Sequence, residues 1–247
     1  MRAITPGRRR DDAGVTLIEL LVAVVFGGII IAITLSFFTS VMRYSKQSVD
    51  TRMSTADAGN VSNVISTSIR SSVGYAKSGS DTLQTPVMPG SGGQTIVLVS
   101  FTDAYADLGA SETDAAPYLI RYSVDGQRRM VEERWELSYN SQGFLMLPYL
   151  ADGKTLPAPD RSRLLGDVVM NTPSEQLFTY YSGQCGEDEL ADVTTSAAAR
   201  EKVAFIRFHL RIQSFDSQQT VDLDSTIGLP NRGITTDPER TCAIPAP

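Results

Sequence analysis

Glu19 is the one charged side chain in the apolar run from Val15 to Phe38, whose other polar members are Thr16, Thr34 and Ser36. An ionised carboxylate within hydrocarbon costs several kcal/mol, so one placed there needs a counter-charge. Directly ahead of the run stands Gly14, a small residue after which proteolysis would leave a new α-amine on Val15. Carboxylate and amine at that spacing neutralise each other, on one chain or between neighbouring copies, and such a pair sets the axial register of helices packed side by side. The chemistry expected of this segment is charge pairing for assembly rather than catalysis.

The remaining reactive groups are sparse. His209 is the sole histidine, and Arg207 and Arg211 flank it on the polar side of an alternating strand pattern. It reads as a solvated strand residue, which leaves a Ser or Cys nucleophile without its usual base. Asp222 and Asp224 share one face of a strand, a spacing that could pair carboxylates for acid–base work, although plain solvent-facing alternation explains them equally well. Glu187-Asp188-Glu189 offers the clustered oxygens that calcium takes, but no further ligands follow in a ladder, and a solvated acidic loop is the simpler reading. Tyr180, Tyr181 and Trp135 could stack on a ligand, whereas aromatic residues are also ordinary members of strands. Ser91-Gly92-Gly93 lacks both the spacing and the lysine of a phosphate loop. The expectation is a chain that is not an enzyme and carries no cofactor and no metal.

Cys185 and Cys242 are the only cysteines. In an oxidising compartment an even count permits one bridge, worth about 4 kcal/mol on the chain-entropy model. Two buried thiols are the alternative.

The elements that must position these groups follow from patterning. Residues 1–14 hold four arginines against two aspartates in a chain of 247 residues with a net charge of −6. Basic residues flanking an apolar span stay on the cytoplasmic side, and the acidic remainder argues against nucleic acid as a partner of the main body. Val15–Phe38 is long enough to cross a bilayer as a helix, and no Ala-x-Ala cleavage site closes it, unlike a cleaved secretory signal. From Thr39 to Tyr75 the pattern turns amphipathic, with Val41, Val49, Met53, Ala56, Val64, Ile65 and Ile69 near helical spacing and no proline. One continuous helix is expected, with a break near Gly59 as the alternative. Residues 76–94, rich in Ser, Gly, Pro and Thr, read as a loop. Short β-like runs follow at Thr95–Phe101, Tyr118–Val124, Arg129–Leu137, Phe144–Leu147, Gln176–Tyr181, Val203–Gln213 and Thr220–Gly228, with Asp125-Gly126 as a hairpin signal. The economical arrangement is an α+β fold in which one antiparallel sheet covers the amphipathic half of the helix.

Gly14-Val15-Thr16-Leu17-Ile18-Glu19-Leu20-Leu21, set directly before an apolar span, resembles the class III signal peptide of the type IV pilin and pseudopilin family. The resemblance implies that a prepilin peptidase cuts after Gly14 and N-methylates Val15, where most members have Phe. The helix-breaking proline that many pilins carry near the position of Ser36 is missing. Ile120-Arg121-Tyr122-Ser123-Val124-Asp125-Gly126, followed by Glu132-Glu133-Arg134, resembles the central hairpin of J-type pseudopilins and W-type minor pilins. Leu229-Pro230-Asn231 stands where their last strand ends.

The resemblance implies a pilin-like lollipop in four parts: a leader at 1–14, a transmembrane and assembly half-helix at 15–38, an amphipathic half-helix at 39–76 and a β domain at 77–247. It further implies a minor subunit of a pilus or pseudopilus tip or priming complex, in type IV pilus biogenesis, type II secretion or DNA uptake. Its partners would be other pilin-like subunits, the prepilin peptidase, the inner-membrane assembly platform and, before assembly, membrane lipid. Its place would be the cytoplasmic membrane, with the C-terminal domain outside the cytoplasm, and then a filament. The alternatives are a tip-located binding module and a simple single-pass anchored domain.

Overall fold

The computed structural model describes residues 16–76, 83–101, 117–149, 155–166, 168–172, 174–182, 188–213 and 220–230. Helix α1 (Leu17–Arg70) runs unbroken through Gly27, Gly28 and Gly59. The chain divides into two compact units, residues 1–48 and 49–247.

The first unit is the apolar half of α1. Its most apolar stretch is entirely uncovered and is long and apolar enough to cross a membrane. Hydroxyls within and just beyond it bond to their own helix, with Thr34 donating to the Ile30 carbonyl and Thr39 to that of Ser36. Polar groups satisfied in this way cost little in lipid.

The second unit is α+β and antiparallel throughout. One sheet has the order β1 (Thr95–Ser100), β2 (Tyr118–Val124), β3 (Met130–Glu136) and β6 (Arg161–Gly166). The other has the order β11 (Thr220–Gly228), β10 (Phe205–Gln213), β8 (Phe178–Ser182) and β9 (Asp188–Glu189), with β7 (Val168–Val169) also paired to β10. The short pair β4 (Ser138–Tyr139) and β5 (Leu145–Met146) stands apart, and α2 (Ala197–Lys202) is capped by the Ser196 side chain.

Two sheets therefore replace the single one expected. Both send apolar residues into one core around the second half of α1. Ala58, Val61, Ile65 and Ile69 meet Ile120, Tyr122 and Met130 of the first sheet and Ile206, Phe208 and Leu210 of the second. The buried stripe of α1 is Ser54, Ala58, Val61, Ile65 and Ile69, a true 3.6-residue period. Val41, Val49, Met53 and Ala56 are exposed, so the expected stripe is correct only from Val64 onward. The side chains that seat the helix at its near end are small ones, which a search for large apolar residues passes over.

Gly166 on β6 marks a close approach of the sheet to α1. A Cβ added at Gly166 would lie 2.8 Å from Cγ2 of Val61 on α1 and 2.7 Å from Cδ1 of Ile212 on β10. Gly166→Ala is expected to cost about 1–3 kcal/mol through overpacking. An unfolding midpoint unchanged from wild type would show that the two branched side chains have room to move.

The stretch expected as a loop at 76–94 is, where described, stitched to the outer edge of β1. Val87 bridges Leu98, the Val99 amide donates to the Pro86 carbonyl and the Met88 amide to the Val97 carbonyl. This cover satisfies an edge that would otherwise offer open pairing groups. At the β2–β3 turn the positive φ falls on Arg128 (63°), two residues beyond Gly126. The Arg128 guanidinium donates to the Val169 carbonyl at 2.9 and 3.0 Å, and the Asp125 carboxylate takes the amides of Gln127 and Arg129. Side-chain bonds across to β7 stand in for the glycine that this position of the turn favours.

Candidate functional site

Thr16 and Glu19 hold the spacing of a capping box at the start of α1, and its Thr half is made. The Glu19 amide donates to the Thr16 hydroxyl at 3.3 Å, that hydroxyl points to Glu19 Oε2 at 3.5 Å, and the Leu20 amide closes the first helical bond on the Thr16 carbonyl at 3.1 Å. Glu19 also lies in the first turn, where the helix dipole favours an anion. The Thr-x-x-Glu spacing carries the signal for this cap in the sequence. Glu19 is exposed, and so are Leu17, Ile18, Leu20 and Leu21 around it. The arrangement presents a fixed carboxylate on an apolar helix end, open to a cation. Gly14 and Val15 lie outside the described residues, as do Cys185 and Cys242.

The other candidates resolve into structural groups. On the outward face of β10, His209 lies opposite Asp224 and Arg211 opposite Asp222. Asp224 is held by the Arg207 guanidinium through both oxygens, and Asp222 accepts from Arg211 Nε at 2.9 Å. The Arg207 hydrogen bonds keep the Asp224 carboxyl below its usual range and push Arg207 up. His209 Nδ1 stands 3.8 Å from Asp224. Each carboxylate thus has an arginine, and the face is a ladder of cross-strand ion pairs worth little individually. Asp188 and Glu189 pair with Ser182 and Tyr181 as β9, so the described part of the acidic stretch is strand rather than loop; Glu187 lies outside the described residues. Among the described residues no three acidic, His or Cys side chains gather to hold a metal. Tyr180 and Trp135 are core residues at 3% and 2% exposure, which removes both as surface stacking platforms.

A buried polar cluster went unnoticed in the sequence. Glu132, 1% exposed, accepts from Arg134 Nε at 2.6 Å and from Arg163 Nε and Nη2 at 2.9 and 2.8 Å. The Tyr122 hydroxyl meets Ser68 Oγ of α1 at 2.6 Å, and Tyr122 lies opposite Glu132 in the β2–β3 register. Burial, and then the Glu132 charge, push the Tyr122 phenol well above its ordinary value, so it stays a neutral donor. The signal was present as a Glu-x-Arg alternation on β3, but charge on a strand reads as a wet face unless a partner strand is known to bring the opposite sign.

Comparison with models of known protein families returns no match, and comparison with curated proteins returns none.

Proposed function

We propose that this chain is a minor type IV pilin-like subunit, cut after Gly14 and assembled through the exposed half of α1 into a pilus or pseudopilus tip or priming complex. The observation that carries the reading is the uncovered apolar start of α1 with one exposed carboxylate, Glu19, fixed at its capped end. A membrane anchor alone gains nothing from a carboxylate at hydrocarbon depth. A subunit whose new Val15 amine pairs with Glu19 of itself or a neighbour gains a register. The helix then leaves the bilayer for the filament, and its second half carries the α+β body in a pilin-like plan. Partners under this reading are other pilin-like subunits, the prepilin peptidase, the inner-membrane platform and lipid. The body lies outside the cytoplasm, where Cys185 and Cys242 can bridge. A second reading, a tip subunit whose body binds a ligand, draws on the cleft that Arg121, Thr95 and Ser123 line on the first sheet.

Gly14→Leu is expected to block processing and leave a precursor that keeps its leader in the membrane fraction. Mass analysis of the N-terminus checks this, with a wild-type chain beginning at a methylated Val15. A native wild-type chain that still begins at Met1 would overturn the proposal.

A further inference from the structure

The outer face of the four-stranded sheet, the face turned from α1, is mostly closed by an apolar cluster that includes Met88, Leu119, Trp135 and Leu137. A cleft of about 330 Å³ opens on it among the described residues. Its floor is two cross-strand pairs of β1 and β2, Thr95 opposite Ser123 and Val97 opposite Arg121. Pro89 and Gly90 form one wall, and Thr155 and Leu156 line it as well. A volume near 300 Å³ is at the small end for ligand pockets and suits a molecule of monosaccharide size.

The cleft is built rather than incidental. Ser91, fully buried, ties the Gly90 wall to β1 by accepting from the Val97 amide at 2.9 Å and donating to the Val97 carbonyl at 3.1 Å. Gly90 takes φ 93°, which favours glycine, and the Tyr149 hydroxyl pins Pro89 through its carbonyl at 2.8 Å. Arg121 is pre-set in two ways. Its guanidinium lies 5.3 Å from the Trp135 ring centroid, and its Nε bonds Glu133. Among the described residues that is its hydrogen bond, so both Nη groups keep their donors. A half-exposed arginine fork beside two hydroxyls and an apolar patch is a recognition set for a carboxylate with polar substituents.

We propose that this cleft binds a small carboxylate-bearing ligand, its carboxylate on the Arg121 fork and its polar substituents on the Thr95 and Ser123 hydroxyls, with Val97 and Leu156 against its apolar side. Acidic sugars and the carboxyl end of a short peptide share this chemistry. The site does not rest on the reading of the N-terminal helix, and either can fail alone.

Trp135 is the only tryptophan and sits against Arg121, so its fluorescence reports engagement of the fork. The full chain in non-ionic detergent is titrated with galacturonate and N-acetylalanine, and with their neutral counterparts galactose and N-acetylalaninamide. The expected result is a saturable change with at least one acid in the millimolar range, and binding roughly tenfold or more weaker for its neutral counterpart. Arg121→Met is expected to abolish it. Ser123→Ala, the variant less exposed to folding defects, is expected to weaken it by about threefold to tenfold. The tighter acid identifies the source as sugar or peptide. No saturation with either acid, equal binding of acid and neutral partner, or undiminished binding in folded Arg121→Met or Ser123→Ala would overturn the proposal.

Discussion

Glu19→Gln is expected to leave the first turn of α1 and processing after Gly14 intact while reducing filament incorporation by a factor of about 100 or more. The substitution is chosen for what it keeps. Glutamine is accepted at this position of a capping box, so the Thr16 interactions seen here survive the change. What goes is the charge. Removing one partner of a desolvated ion pair costs about 3–5 kcal/mol because the other charge is left alone, and each 1.4 kcal/mol is about tenfold in an equilibrium. Glu19→Val removes both cap and charge and should fall at least as far. The measurement is the ratio of subunit in sheared filaments to subunit in membranes, for both variants. Normal incorporation of Glu19→Gln beside a failing Glu19→Val would assign the residue to helix capping and sink the idea of a register pair.

The apolar start of α1 was legible because a helix long and apolar enough to cross a membrane is recognised by length and hydropathy alone. The alternating strands were legible too. β10 buries Ile206, Phe208, Leu210 and Ile212 and turns Arg207, His209 and Arg211 outward, since one face of an antiparallel strand must be wet. The shortest strands and the charged β6 were not legible. β6 begins Arg161-Ser162-Arg163 and reads as a surface stretch, because the carboxylate that accepts Arg163 lies on a different strand. β7 and β9 are two residues each, shorter than any periodicity can register. Ser54 and Ala58 of α1 were missed for a further reason. Both are buried, and a small residue carries no hydrophobic signal of its own. The Arg121 cleft was hidden likewise, since its parts come from separate stretches joined only by strand register.

The buried cluster yields the second large effect. Glu132→Leu is expected to destabilise the folded body by about 3–5 kcal/mol, which for a body of this size lowers the unfolding midpoint on the order of 10 °C. The carboxylate balances two guanidinium groups, Arg134 on its own strand and Arg163 on β6, at 2.6 to 2.9 Å. Leucine leaves those positive charges with no anion between them, and Arg134 is itself only 6% exposed. Tyr122→Phe touches the same cluster at its other end, where the phenol meets Ser68 on α1 and the residue lies opposite Glu132 on β3. It removes one hydroxyl and no charge, and a loss of about 1–2 kcal/mol is expected. Because both changes act on one network, their combination should cost less than the sum, with a coupling of about 0.5–3 kcal/mol. A double-mutant cycle by denaturant unfolding measures it. Strict additivity would mean that the Ser68–Tyr122 contact and the ion cluster are neighbours only. Coupling would mean that the seat of α1 on its sheet is held in part by the buried Glu132 carboxylate, two strands from the sheet's first edge.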